Sequence, residues 1–263
     1  MNELLTNYLM LVLLLKLKKY NVKRNLYIFF MGACMKRRYK LLLIILIGAI
    51  LTFIINSLRI TTKTNFVAIG DGVSIGMTPY NVAGKSFNDY FKEKLELKND
   101  LASYNYDFSY QYLTINDLND ILDNNNLGKR TKTPIKQIIA KANIITIAIG
   151  MDEFAYISPS DDISNEMIEK YIKDIDNLLF KIREFYKKDI ILIGLYPTEK
   201  FLKKDAIEIN TKLKTICGKY NANFIDILAI SLNEKYYLQK DSFYLNYLAH
   251  QEISKIIYAI YKR

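Results

Sequence analysis

The sequence is poor in features that would point to particular classes of protein. Its two cysteines, Cys34 and Cys217, lie far apart and on opposite sides of an apolar segment at residues 41–58. We therefore predict no disulfide bond. The chain has one histidine, His250, and contains neither an internal repeat nor a low-complexity linker. With 263 residues, of which 51% are hydrophobic, the chain can bury one core besides an N-terminal membrane segment, so we expect a single globular domain.

Excess positive charge is missing from most of the chain, although the formal net charge is +10. Residues 1–63 hold 11 of the 37 lysines and arginines and one of the 27 acidic residues, which leaves 26 of each sign in residues 64–263. The basic excess flanks apolar segments, where it is a signal of membrane topology. A neutral domain argues against nucleic acid as a partner.

The segment Leu41–Leu58 is an uncharged apolar stretch of 18 residues that follows the basic cluster Lys36-Arg37-Arg38. Its length matches a membrane-spanning helix, and the basic cluster places the preceding end in the cytoplasm. No small-x-small cleavage pattern precedes the domain, so residues 35–63 are predicted to form a retained signal anchor with a short tether. The protein is therefore expected in the cell membrane as a single-pass protein, with its domain on the extracytoplasmic side.

Residues 1–34 fit this arrangement poorly. Their apolar stretch, Leu4–Leu15, is short for a span, and Met35 would make a natural start immediately before the basic cluster. We interpret residues 1–34 as an over-extended gene start. If they are translated, they form a second, marginal membrane segment or an interfacial helix.

From residue 64 onward, apolar runs alternate with helical periodicity. The runs that predict strands are Phe66–Ile69, Ile144–Ile149, Ile190–Leu195 and Phe224–Ile227, with Phe108–Leu113 as a weaker candidate. Apolar residues at three- and four-residue spacing predict helices between Met167 and Phe185 and between Ile253 and Ile260. Residues 124–133 are polar and predicted to be a loop. This βαβ rhythm predicts a parallel sheet with helices on both faces.

The first predicted strand leads into the tight turn Gly70-Asp71-Gly72, followed by Gly76. Open α/β folds place their ligands at such strand ends, and we expect this turn to open a helix. Two further blocks follow strands or precede the last helix: Gly150-Met151-Asp152-Glu153 and Asp241-Ser242-Phe243-Tyr244-Leu245-Asn246.

In this order, the three blocks resemble the motifs of the SGNH (GDSL-type) esterases and acylhydrolases. The first matches Gly-Asp-Ser-x-x-x-Gly except at Gly72, the second occupies the place of Gly-x-Asn-Asp, and the third that of Asp-x-x-His-Leu-Asn. The resemblance spans roughly 180 residues. It implies a flavodoxin-like three-layer α/β/α domain over residues 64–263, with its pocket at the C-terminal ends of the strands.

When the family's site residues are carried over one by one, the resemblance implies a site that lacks the nucleophile, the base and the oxyanion donors needed for hydrolysis. Gly72 stands where the family has its nucleophilic serine, and Tyr244 stands in place of the basic histidine. Asp152 replaces an asparagine that donates hydrogen bonds to the oxyanion, which a carboxylate cannot do. No glycine lies between Gly84 and Gly128, so the expected backbone donor is also missing. Asp241 is the one triad residue retained.

Ser74 and His250 offer a relocated catalytic pair, which would need a serine two residues after the lost nucleophile. We favour structural roles instead: Ser74 as a hydroxyl that caps a helix start, and His250 as a residue near the start of the last helix. Asp71 likewise has a structural interpretation, as an acceptor for turn amides.

The implied fold brings Asp71, Asp152 and Asp241 together in one pocket with Gly72, Glu153 and Tyr244. Such a pocket could hold a divalent cation or accept a cationic sugar or amine. We favour a solvated acidic cleft without a ligand, and predict neither a metal nor a cofactor.

Three functions are compatible with these residues. The first is a membrane-anchored SGNH-hydrolase-like protein that has lost hydrolysis and acts in binding or scaffolding at the cell envelope, with a glycan or lipid as the candidate ligand. The second is an active esterase or acylhydrolase that uses a non-standard constellation on envelope acyl groups. The third is a structural membrane protein without a ligand.

Overall fold

A computed structural model describes residues 45–50, 63–80, 82–155, 163–198, 201–237 and 243–262. The chain divides into two compact units, Met1–Ile60 and Thr61–Arg263. In the first unit, residues 45–50 are helical. The rest of the predicted anchor, the extension at residues 1–34 and Cys34 lie outside the described residues. Within the described ranges, no helix combines the length and the apolar character needed to cross a bilayer.

The second unit is built on a sheet of five parallel strands. They are β1 (Thr64–Gly70), β2 (Leu101–Ser109), β3 (Ile144–Ala148), β4 (Asp189–Ile193) and β5 (Asn223–Ile225), arranged in the order β2-β1-β3-β4-β5. This arrangement confirms the predicted parallel sheet. All five residues of β3 are buried, as expected for a central strand covered on both faces.

The helices connect these strands in alternation. They are α1 (Phe87–Leu97), α2 (Ile115–Asp123), α3 (Ile135–Lys141), α4 (Met151–Ala155), α5 (Asn165–Phe185), α6 (Lys203–Lys219), α7 (Leu228–Ser231) and α8 (Tyr247–Tyr261), with a 3₁₀ turn at Glu234–Tyr236. The chain moves outward from β1 to β2 and then back across the sheet, so right-handed crossovers place α1 on one face and α2, α5 and α6 on the other. Contacts agree: α8 packs on α1, whereas α5 packs on α2 and α6.

Local signals in the sequence explain where several helices begin. Ser86 caps α1 through a capping box with Asp89, and Thr114 caps α2 in the same way with Asp117. The Asn246 side chain accepts hydrogen bonds from two amides at the start of α8. The helix predicted between Met167 and Phe185 is confirmed as α5, which buries one apolar face against the sheet.

The weakest strand prediction is wrong in its position. We expected a strand at Phe108–Leu113, but β2 ends at Ser109, and a turn with Tyr112 at φ 65° follows it. The first part of β2 is polar and partly exposed because this strand lies at an edge of the sheet. An edge strand lacks the continuous apolar run that marked the central strands.

The predicted loop at residues 124–133 is confirmed as irregular chain, and it lies against β2. The buried carboxylate of Asp107 accepts hydrogen bonds from the amides of Arg130 and Thr131, both at 3.0 Å. Arg130 also donates to the carbonyl of Tyr106 at 2.8 Å. These bonds cover part of the exposed edge of the sheet.

Candidate functional site

The turn after β1 is shaped by close contact with β3. A Cβ atom at Gly70 would lie 1.8 Å from the carbonyl oxygen of Ala148, and Gly70 has φ 152°, so only glycine fits. The chain then makes turns up to Gly76, whose φ is 67°. The expectation that this turn opens a helix directly is wrong, because the helix that follows β1 starts only at Phe87.

Asp71 braces this junction from a fully buried position. Its carboxylate accepts a hydrogen bond from the amide of Val73 at 3.1 Å and another from the amide of Asp152 at 3.1 Å. Its own amide donates to Ala148 at 2.9 Å. Asp71 therefore ties the turn after β1 to the start of α4, in agreement with the structural role considered for it.

Asp152 lies directly against Gly72. Its Oδ2 atom accepts hydrogen bonds from the amide of Gly72 at 2.9 Å and from the amide of Tyr112 at 2.8 Å. A Cβ atom at Gly72 would lie 2.9 Å from Oδ1 and 3.0 Å from Oδ2 of the same carboxyl group. The carboxyl group of Asp152 thus occupies the space that a side chain at position 72 would need.

This geometry corrects one expectation from the sequence. We expected the backbone donor of the oxyanion hole to be missing, because no glycine occurs between Gly84 and Gly128. The amide of Tyr112 instead converges with that of Gly72 on a single point, and Tyr112 adopts the left-handed conformation in which glycine is more usual. Two convergent backbone N–H groups can stabilise an oxyanion, but here they hold a carboxylate oxygen of the protein itself.

Asp71 and Asp152 form an electrostatically unfavourable pair. Burial raises the pKa of Asp71 well above its usual value, and the neighbouring charge of Asp152 raises it further. Burial also raises the pKa of Asp152, although the bonds from Tyr112 and Gly72 oppose this effect. The Oδ1 atom of Asp152 is buried and has no hydrogen-bond partner among the described residues. The pair therefore favours holding a proton.

Tyr196 lies within electrostatic reach of this acidic pair, and Tyr244 lies next to Phe243, which Tyr196 contacts. Tyr196 follows β4, is fully buried and donates its hydroxyl to the carbonyl of Phe243 at 3.2 Å. Burial raises the pKa of Tyr196, and the neighbouring Tyr237, Asp71, Asp152 and Tyr244 raise it further. Tyr244 is buried, and its ring packs edge-on against Phe243 at 4.7 Å. Asp241, the predicted triad aspartate, lies outside the described residues.

Ser74 and His250 are held in separate buried contacts. The Ser74 hydroxyl lies 3.1 Å from that of Ser109 and accepts a hydrogen bond from Asn88 at 3.1 Å. Nδ1 of His250 accepts a bond from the amide of Phe87 at 3.2 Å, and burial lowers the pKa of His250 to about 4. Ser74 is therefore part of a buried polar network rather than a helix cap, whereas His250 has the structural role favoured from the sequence.

Glu153 points away from the Asp71–Asp152 pair. Its Oε2 atom accepts a hydrogen bond from the amide of Ile115 at 3.2 Å, and its side chain lines a cleft between α2, α4 and α5. Neither Gly72 nor Asp152 lines this cleft. Across the part of the chain that the structure describes, no group of three His, Cys, Asp or Glu residues could hold a metal ion.

Solved structures of several lipases and esterases share this architecture. A lipase from a goat rumen metagenome, Lip_vut3, has a TM-score of 0.59 at 22% identity, over 74% of this chain and 95% of that one. A mutant of Axe2, an acetyl-xylooligosaccharide esterase from Geobacillus, gives 0.58 at 15% identity, over 77% and 95%. The domain has the SGNH/GDSL-type esterase fold.

A lipase/acylhydrolase from Enterococcus faecalis shares the SGNH-type fold at a TM-score of 0.54 and 16% identity, over 74% of this chain and 93% of that one. No protein-family model matches the sequence, and no curated protein matches it either. At these identities the likeness establishes the fold and leaves the chemistry to the residues of this chain.

Sequence reasoning missed two residues of this region. Tyr196 could have been found, because it follows the apolar run Ile190–Leu195 and strand ends meet at one edge of a parallel sheet. The role of the Tyr112 amide could not be predicted, because a tyrosine in the sequence gives no indication of a left-handed backbone conformation.

Proposed function

We propose that this protein is a membrane-anchored, extracytoplasmic SGNH-hydrolase-like protein that binds or scaffolds at the cell envelope and does not hydrolyse esters. One observation carries the loss of hydrolysis: the carboxyl group of Asp152 fills the space beside Gly72 and occupies both convergent amides. A substrate carbonyl would meet no nucleophilic hydroxyl at position 72. It would also find its two backbone donors already bonded to a carboxylate.

The proposed anchor also bears on where the site would work. β1 begins at Thr64, directly after the proposed tether, and Gly72 lies beyond the opposite end of this seven-residue strand. A strand of this length spans about 23 Å. The site would therefore lie a strand length from the point where the tether joins the domain. This position favours a ligand in the envelope, such as a glycan or an extended lipid head group.

The decisive experiment measures ester hydrolysis by the purified protein with p-nitrophenyl acetate and labelling by a fluorophosphonate probe. We expect neither signal to exceed background. Ser74→Ala and His250→Asn serve as matched variants, because these residues would form the relocated pair of an active enzyme. Hydrolysis by the wild type that either substitution abolishes would overturn the proposal and establish the non-standard esterase.

The reciprocal experiment restores the family residues at positions 72, 152 and 244. Gly72→Ser, Asp152→Asn and Tyr244→His together should produce weak esterase activity. Because the Asn side chain has the shape of the carboxyl group it replaces, it must turn away from the new serine. A companion variant with Asp152→Ala removes this conflict and frees both amides, and is expected to be at least as active.

The anchor has its own test. Protease added to protoplasts should release the domain, whereas the protein should remain with membranes after extraction with alkaline carbonate. Complete protection from the protease would contradict the proposed topology without affecting the proposed loss of hydrolysis.

A further inference from the structure

The edge of the sheet at which the strands begin lies opposite the candidate site and forms a continuous surface. The ammonium group of Lys63 donates to the side chain of Asn99 at 2.8 Å, which joins the segments before β1 and β2. Lys188 donates to the carbonyl of Ala142 at 3.0 Å, and Arg183 bonds to carbonyls of the segments before β4 and β5. Because neighbouring strands lie about 4.8 Å apart, this N-terminal edge is about 19 Å wide.

The N-terminal edge carries an excess of positive charge. Five exposed lysines there have no carboxylate within ion-pair distance among the described residues: Lys63, Lys98, Lys141, Lys187 and Lys188. The carboxylate of Asp100 is paired with Lys262 at 2.8 Å, while Glu184 and Asp189 are exposed. Since residues 64–263 hold 26 charges of each sign, this excess is a local asymmetry of a neutral domain.

Leu97 adds an apolar side chain to the same edge. It is the last residue of α1, it is 85% exposed, and the exposed Lys98 follows it. A protruding leucine beside lysines suits a lipid surface, where charged head groups cover the acyl chains. A soluble acidic polymer would meet the charge of the lysines but would offer no apolar contact to the leucine.

The chain also enters the domain at this edge. Lys63 immediately precedes β1, and only residues 59–63 separate that strand from the apolar stretch that ends at Leu58. Five residues reach roughly 17 Å at full extension. A tether of this length would keep the N-terminal edge close to a membrane that holds the proposed anchor.

We propose that the N-terminal edge docks on an anionic lipid surface, with its lysines at the head groups and Leu97 at the acyl boundary. The proposal rests on the proposed anchor for proximity to the bilayer, and on the charge of the edge for affinity. Each lysine near an anionic surface strengthens binding about fivefold, so five lysines outweigh two carboxylates. Docking in this orientation would turn the site at Gly72 away from the lipid and towards the envelope.

The test mixes the full chain with preformed vesicles of phosphatidylcholine, with or without phosphatidylglycerol. Acetylation of lysines, read by mass spectrometry, compares Lys188 at the N-terminal edge with Lys203 at the start of α6, at the opposite edge. Anionic vesicles should protect Lys188 at least about fivefold relative to Lys203, and neutral vesicles should not. Salt at about 1 M shortens the Debye length to about 3 Å and should remove the protection.

Paired lysine variants test the position of the charge. Lys98→Gln with Lys141→Gln should weaken docking about 25-fold, because two contributions of about fivefold are lost. Lys204→Gln with Lys235→Gln is the matched control, since it removes the same charge from exposed positions beyond the opposite ends of the strands. The control should leave the protection of Lys188 unchanged, and equal weakening by both pairs would overturn the proposal.

A leucine variant distinguishes lipid from other polyanions. Leu97→Gln should weaken docking about tenfold through lost apolar burial, whereas Leu232→Gln, at an exposed leucine that follows β5 and α7, should not weaken it. If polyglutamate protected Lys188 on neutral vesicles as well as phosphatidylglycerol does, the assignment to a lipid surface would be wrong. Thermal melting confirms that each variant is folded.

Extraction of the same samples with alkaline carbonate reports separately on the anchor. Inserted protein in which Lys188 reacts equally on both kinds of vesicle would refute the docking surface and leave the anchor in place. Salt-sensitive protection of Lys188 in protein that carbonate removes would support the docking surface and refute the anchor. The absence of both insertion and protection would refute both.

Discussion

A methyl group at Gly72 would lie against the carboxyl group of Asp152, and this contact makes the pair suitable for a double-mutant cycle. The added Cβ atom would stand 2.9 Å from Oδ1 and 3.0 Å from Oδ2, closer than such contacts normally allow. The Asp152 side chain would have to move, and its bonds to the amides of Gly72 and Tyr112 would be lost or stretched. Gly72→Ala should therefore destabilise the protein.

The expected magnitude follows from those two bonds. Hydrogen bonds to a charged group contribute about 1.5–3 kcal/mol each, and a partial loss of both gives a destabilisation of about 2–4 kcal/mol. The backbone itself presents no obstacle, because the φ of Gly72 lies outside the left-handed region. Where the backbone is compatible, replacing glycine by alanine stabilises by about 0.4–1 kcal/mol through the unfolded chain. The effect should therefore change sign once Asp152 is removed.

The assay is equilibrium urea denaturation at pH 7 of four proteins: wild type, Gly72→Ala, Asp152→Ala and the double variant. The Thr61–Arg263 unit suits this measurement, because the buried hydrophobic cluster lies within it. In the Asp152→Ala background, Gly72→Ala should be neutral or slightly stabilising. The coupling free energy between the two positions should then be about 2 kcal/mol or more, which is large for a pairwise interaction.

One result would refute this reasoning. If Gly72→Ala destabilises the Asp152→Ala background as much as the wild type, the contact with Asp152 is not the cause. Glycine at position 72 would then be required for another reason, and the carboxyl group could not be regarded as the occupant of that space.

Two further predictions concern His250 and Arg183. The folded state holds the pKa of His250 at about 4, below its usual 6.5, so it binds fewer protons than the unfolded state within this window. Stability should fall as pH decreases from 6.5 to 4, by about 3 kcal/mol, and the melting curves of His250→Asn should lack this contribution. Arg183 donates to the carbonyls of Tyr186, Lys188, Tyr220 and Asn221. Arg183→Ala should lower the free energy of unfolding by about 2–3 kcal/mol. Lys181→Ala, which removes a surface ion pair with Asp123, should change it by less than about 1 kcal/mol. Equal shifts of the urea midpoint in the two variants would contradict this prediction.

Much of the sheet could be predicted because central parallel strands are covered on both faces. β1, β3 and β4 are mostly apolar in the sequence, and each was predicted to within a few residues. The edge strand β2 was misplaced, since its exposed half contains polar residues that give no strand signal. The strand order is likewise absent from the local pattern, because it depends on pairings between distant segments.

The candidate site was also predicted in part: its residues could be recognised from the sequence, but the direction of its side chains could not. The Gly70-Asp71-Gly72 turn could be recognised from the sequence, because glycine is demanded where β1 approaches β3 within contact distance. The resemblance also identified Asp152 as the residue that replaces an oxyanion donor. Neither observation predicted the direction of the Asp152 side chain, whose Oδ2 atom accepts hydrogen bonds from the amides of Gly72 and Tyr112.

The sequence by itself determined the alternation of strands and helices, the parallel sheet and the absence of a serine at position 72, since these follow from local patterns of residues. The tertiary structure alone decided that Tyr112 supplies an amide to the site, that Asp152 fills the space beside Gly72, and that Glu153 faces a different cleft. These features arise where loops from β1, β2 and β3 meet. Side-chain direction there depends on backbone angles and neighbours that no single segment of sequence contains.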